Sequence, residues 1–131
     1  MKPGDDGLRA FFVDYGRAFE AYDDAGIAAC YVTPCLFVRD GKTVAAPSPE
    51  AVIESVRRLL DLHRAWDVQK AKVSKVTVLE QEPEHTLARV DWRLGRPKSR
   101  MSWRYATTYT LVPDPEHGWR IAVAITHDAP F

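Results

Sequence analysis

Met101–Val112, MSWRYATTYTLV, and Gly118–Asp128, GWRIAVAITHD, decide the fold of this chain. Both stretches are long and rich in aromatic and β-branched residues. The turn-prone Pro113-Asp114-Pro115-Glu116-His117 joins them, so they read as an antiparallel hairpin at the centre of a sheet. Alternation along the first puts Trp103, Tyr105, Tyr109 and Leu111 on one face, and Arg104, Ala106, Thr108 and Thr110 on the other. Along the second it groups Ile121, Val123, Ile125 and His127. Alternation does not orient the two faces. The aromatic side suits a core or a dimer interface, and the small polar side leaves room for a pocket or a partner.

Two further strands precede this hairpin. Lys70–Gln81 carries Val73, Val76, Val78 and Leu79, and Pro83-Glu84-His85 turns it into Thr86–Leu94. There Ala88, Val90, Trp92 and Leu94 share a face, opposite Leu87, Arg89, Asp91 and Arg93. Upstream the period changes. Leu8, Phe11, Phe12, Tyr15, Phe19 and Tyr22 recur at steps of three and four, the stripe of an amphipathic helix. Asp23, Asp24 and Gly26 end it, and Ile27–Tyr31 suggests a short second helix that Pro34 stops.

Cys35–Val38 then reads as a strand, Asp40-Gly41 as a two-residue turn and Thr43–Ala45 as the return strand. Ser48-Pro49-Glu50 marks the start of a helix with a capping hydroxyl, a proline in the first turn and an acid near the positive end. Val52, Ile53, Val56, Leu59, Leu60 and His63 form its stripe, which runs to about Arg64.

The expected architecture is α+β, a cone-shaped roll. Two long helices and a short one pack on a curved, mainly antiparallel sheet of four long strands plus a small hairpin. Residues 1–7 are expected to be mobile and residues 8–131 to form a single domain. A cone that its helices do not fill is a place for a ligand. The competing architecture is a cystatin-like sheet without a cavity.

Composition narrows the function classes. The 131 residues hold 18 basic and 18 acidic side chains, so no net charge draws the chain to nucleic acid or to an anionic membrane. Neither apolar run, IAACYV or IAVAI, is long enough to span a bilayer, and the amino-terminal ten residues lack a signal-like apolar segment. A cytoplasmic location is the expectation. Cys30 and Cys35 match neither a disulfide framework nor a zinc pattern. The sequence lacks a phosphate loop, a dinucleotide fingerprint, a serine elbow and a zinc-protease helix, so neither a cofactor nor a metal is expected. Arg93, Arg96, Lys98, Arg100 and Arg104 gather around one hairpin tip and read as an exposed charged loop.

The element order and the Gly118-Trp119-Arg120-Ile121 start of the last strand resemble the nuclear transport factor 2-like superfamily, with its SnoaL-like and ketosteroid isomerase branches nearest. The resemblance spans roughly residues 8–128 and implies a cone-shaped fold, frequent homodimers and functions ranging from isomerases and cyclases to non-catalytic binding domains. It implies a tyrosine on the first helix sixteen residues before one on the second, a spacing that Tyr15 and Tyr31 keep. It implies an aspartate base at the end of the first strand, where Asp40 lies within one residue and Arg39 could take the place. The acid expected on the penultimate strand is replaced by Thr108, a weaker donor to an oxyanion, which argues against ketosteroid isomerase itself. On the last strand, where the resemblance allows a pocket tryptophan, stands His127.

The candidate catalytic groups are therefore Tyr15, His127 and Asp40, and the candidate pocket residues are Tyr15, Phe19, Trp66, Thr108 and His127. Each has a plainer alternative. Tyr15 could be a core aromatic, Asp40 the first residue of a hairpin turn, His127 a strand-end histidine, and His63 with Trp66 a helix end with its packing indole. Two functions stay open. One is a small-molecule-binding domain for an apolar, carbonyl-containing ligand, acting as a cofactor-independent isomerase, cyclase or dehydratase. The other is a non-catalytic accessory module that dimerises through its sheet face.

Overall fold

A computed structural model describes residues 5–97 and 102–128. The chain order is α1 (Asp5–Glu20), α2 (Asp24–Ala28), β1 (Tyr31–Arg39), β2 (Lys42–Ala46), α3 (Pro49–Ala65), β3 (Lys70–Gln81), β4 (Thr86–Gly95), β5 (Ser102–Asp114) and β6 (Gly118–His127). The strands form one six-stranded sheet in the order β2-β1-β6-β5-β4-β3. Every neighbouring pair is antiparallel except β1 and β6, which run parallel. The α+β roll expected from the sequence is the fold that forms.

The helices start where the sequence signals them. Ser48 accepts a hydrogen bond from the Ala51 amide at 3.2 Å and Pro49 occupies the first turn of α3. Asp23 caps α2 by accepting from the Gly26 amide at 3.0 Å. The Asp40-Gly41 turn has φ of 50° and 73°, the double left-handed geometry of a tight hairpin, in which aspartate and glycine strain least.

Three boundaries differ from the expectation. Helix α1 begins at Asp5, so residues 5–7 are helical rather than a mobile lead; residues 1–4 lie outside the described residues. The second helix ends at Ala28, and Tyr31 opens a strand instead of closing a helix. The Ile121 amide donates to the Cys30 carbonyl at 2.7 Å, and Tyr31 pairs with Ile121, so the sheet captures this segment. Of the basic tip, Lys98 and Arg100 lie outside the described residues.

One sheet face carries the core. On β4, Thr86, Ala88, Val90, Trp92 and Leu94 are all buried and alternate with half-buried or exposed neighbours. Helix α1 lies against this face. Phe12 is fully buried, 4.6 Å from the ring of Tyr109 and 6.4 Å from Trp92. Gly16 allows the contact: a Cβ there would sit 2.6 Å from the Ala71 carbonyl oxygen and 3.1 Å from the Trp92 ring.

A β-bulge reorders the other face. Thr110 pairs with Val123, but Leu111 pairs with Ile121, leaving Ala122 as the extra residue. A single inserted residue flips everything beyond it. Ile121 therefore stays in the core with 0% exposure, while Val123, Ile125 and His127 turn to the outer face. The expected grouping of Ile121 with His127 fails for this reason.

Candidate functional site

Between the inner sheet face and the helices lies a cavity of about 370 Å³. Tyr15 of α1, Tyr31 of β1, Trp92 of β4 and Tyr109 of β5 line one part of it. Their own alternation puts the strand residues on one face, and the helical stripe brings Tyr15 down onto them. The Tyr15 ring lies 6.1 Å from that of Tyr31, 6.0 Å from Trp92 and 6.2 Å from Tyr109.

These rings point their polar tips at one another. The Tyr15 and Tyr31 hydroxyls are 2.6 Å apart, and the Trp92 Nε1–H donates to the Tyr109 oxygen at 3.1 Å. Burial raises the pKa of Tyr15, with further rises from Tyr31 and Tyr109 beside it. Burial likewise raises Tyr31, Tyr105 and Tyr109. All four phenols therefore stay protonated and remain donors at neutral pH. Each phenol has one proton, so the Tyr15–Tyr31 contact uses one and leaves one. Among the described residues the pair has no further hydrogen-bond partner.

His63 of α3 also lines the cavity, 5.2 Å from the Phe19 ring. It is 2% exposed, and burial followed by the charge of Arg39 lowers its pKa to about 4. It is a neutral imidazole at physiological pH. At the mouth, between the β1–β2 hairpin and α3, stand Arg39, Asp40, Lys42 and Arg58. Asp40 belongs to the hairpin turn, and its side chain is 80% exposed.

The structure brings together Tyr15, Phe19 and, at the mouth, Asp40. It separates the other candidates from the cavity. His127 and Thr108 lie on the outer face, where His127 Nε2 and Thr108 Oγ1 sit 2.9 Å apart: alternation turns Thr108 away from the inward Thr107 and Tyr109, and the bulge at Ala122 reversed that end of β6 for His127. Trp66 caps the end of α3 and packs edge-on against Trp103 at 5.3 Å. Arg96 covers this indole pair, 4.7 Å above Trp103, and its Nε donates to the Trp66 carbonyl at 2.7 Å. These contacts hold Trp66 away from the cavity lining.

Residue-by-residue reasoning missed Arg39, Trp92, Tyr105 and Tyr109 as cavity residues. Three of them were already grouped by alternation on β4 and β5, and the missing information was the orientation of that face. Cys35 is buried and Cys30 half-buried, both as free thiols. Burial raises Cys30 to about 11, which leaves it a poor nucleophile. Among the described residues no three His, Cys, Asp or Glu side chains gather to hold a metal ion, and no helix is long and apolar enough to cross a membrane.

The profile of an NTF2-like protein family, DUF6841, matches residues 5–129. The chain belongs to this NTF2-like family. Solved structures share the fold. ActVI-ORFA from Streptomyces coelicolor aligns with a TM-score of 0.73 at 14% identity, covering 94% of this chain and 96% of that one. Aln2 from another Streptomyces species gives 0.71 at 17%, over 93% and 88%. An NTF2-like protein with a cystatin-like fold from Novosphingobium aromaticivorans gives 0.71 at 18%, over 92% and 79%. No curated protein matches the chain. At such identities the NTF2-like likeness speaks for the fold alone.

Proposed function

We propose that this NTF2-like chain binds an apolar small molecule carrying a carbonyl group, and that the Tyr15–Tyr31 pair receives the carbonyl oxygen. The carrying observation is the hydroxyl pair at 2.6 Å in the cavity wall, with one proton more than the pair itself consumes. An aromatic cavity excludes water, and a donor aimed into such a space is worth more than one in solvent. A donor that polarises a carbonyl also lowers the cost of the enolate formed from it. The reaction class this supports is a cofactor-independent isomerase, cyclase or dehydratase.

The test is a calorimetric titration with the neutral ketone para-acetylbiphenyl. Binding is expected to be saturable in the wild-type protein. Removing one charge-neutral donor costs about 1 kcal/mol, so Tyr15→Phe combined with Tyr31→Phe should weaken binding about fivefold. Equal affinity in the double variant would remove the phenols from the site.

A second reading rests on the outer sheet face. Leu36, 38% exposed, pairs beside Val123, and the half-buried Ile125 follows on β6. Uncovered aliphatic side chains on a sheet suit a second copy of the same chain. In this reading the protein is a dimeric accessory module. Light scattering on Ile125→Asp should then give a monomer where the wild type gives a dimer. A monomeric wild type at micromolar concentration would discard it.

A further inference from the structure

We propose, resting on the cavity reading above, that the ligand carries a second carbonyl-class oxygen and that the Tyr105 phenol receives it. Such a ligand is an aromatic diketone, held at one carbonyl by the Tyr15–Tyr31 pair and at the other by Tyr105.

Strand β5 sets the spacing. Tyr105, Thr107 and Tyr109 alternate onto its inward face, and all three line the cavity. Tyr109 stands beside Tyr15. Tyr105 lies opposite Trp92 of β4, roughly 13 Å further along the strand. Its phenol is still near enough to act electrostatically on Tyr31 and Tyr109. No hydrogen bond joins it to either, and among the described residues its hydroxyl has no hydrogen-bond partner. Burial raises its pKa despite the opposing charge of Arg39, so the group is a protonated donor withdrawn from bulk water. It is not sealed into the core either: the side chain is half-buried on the wall, and its hydroxyl opens onto the cavity.

The proton count along this wall calls for a second acceptor. The Tyr15–Tyr31 contact consumes one of its two phenol protons. The Trp92 indole is a donor only, so Tyr109 accepts from it and does not spend its own proton in that bond. Tyr105 adds a further proton. The single acid of the lining among the described residues, Asp40, belongs to the exposed hairpin turn. A monoketone that covered the wall would satisfy the Tyr15–Tyr31 pair and press carbon against the Tyr105 hydroxyl, which would then lose water without a replacement. A second carbonyl supplies the missing lone pair. A hydroxyl in its place would bring one more proton to a wall already rich in them.

The experiment compares para-diacetylbenzene with para-isopropylacetophenone by calorimetry. The two have nearly the same shape, and the second keeps only one carbonyl. A cavity that merely excluded water would prefer the more apolar monoketone. The wild-type protein should instead bind the diketone about fivefold tighter, as expected for one neutral hydrogen bond made rather than lost. Tyr105→Phe should bring the ratio of the two affinities to one or below. Because the readout is a ratio, a general change in the cavity moves both affinities and cancels. Should Tyr105→Phe not fold, infrared spectra of para-diacetylbenzene bound to the wild-type protein answer the same question. Both carbonyl bands should lie below their apolar-solvent position, and one band left at that position would overturn the second contact. Equal or weaker wild-type binding of the diketone, or a preference that survives Tyr105→Phe, would also overturn it. Binding of the monoketone would then still support the cavity reading. Failure of both compounds alongside para-acetylbiphenyl would overturn the two together, and their failure while para-acetylbiphenyl binds would overturn the diketone site alone.

Discussion

The two faces of β5 carry opposite kinds of side chain and meet opposite fates. Tyr105, Thr107, Tyr109 and Leu111 face the helices, and Tyr105, Thr107 and Tyr109 border empty space. Arg104, Ala106, Thr108 and Thr110 face away, with no helix over them among the described residues. Small side chains suggest room and large ones suggest filling, yet the cavity lies on the aromatic side. What makes the space is the roof. Helix α1 presses closely where Gly16 meets β3 and β4, and α3 meets β1 and β2 lightly. The aromatic rings bond to one another's polar tips instead of filling the gap between these contacts.

The sharpest way to break this contrast is to truncate one residue on each side. Phe12→Ala, beneath α1, should cost about 3–5 kcal/mol, read as a lower midpoint in urea unfolding. Val123→Ala on the outer face should cost below about 1.5 kcal/mol. Similar losses would mean that the faces are not distinct in the way their burial indicates.

The next largest effect concerns His63. Its folded pKa of about 4 lies below its usual 6.5. The unfolded chain therefore binds a proton that the folded chain refuses. The stability from this group is complete above pH 6.5 and is lost as pH falls toward 4, by roughly 3 kcal/mol in all. His63→Gln should flatten that part of the stability curve. An unchanged slope would mean that the imidazole is as easily charged inside as outside.

Much of the fold was legible because its signals are local. The stripe from Leu8 to Phe19, the Ser48-Pro49 cap, the Asp40-Gly41 turn and the alternation of Ala88, Val90, Trp92 and Leu94 each follow from spacing along the chain. The site was less legible because it depends on phase. No glycine or proline marks the bulge at Ala122, which moved His127 from the pocket to the outer face. Tyr31 joins Tyr15 because a parallel pairing with Ile121 draws it into the sheet, a long-range event that the helix-like IAACY run conceals. Trp66 was drawn away from the mouth by Trp103 and Arg96, partners distant from it in sequence.

The aromatic face has functional meaning only if a carbonyl oxygen reaches the phenol pair. Infrared difference spectroscopy of para-acetylbiphenyl, isotope-labelled at its carbonyl, reads that contact itself. The bound carbonyl band should shift to lower frequency in the wild-type protein and return to its apolar-solvent position in the Tyr15→Phe, Tyr31→Phe double variant. A bound ketone whose band is the same in both proteins would contradict the account.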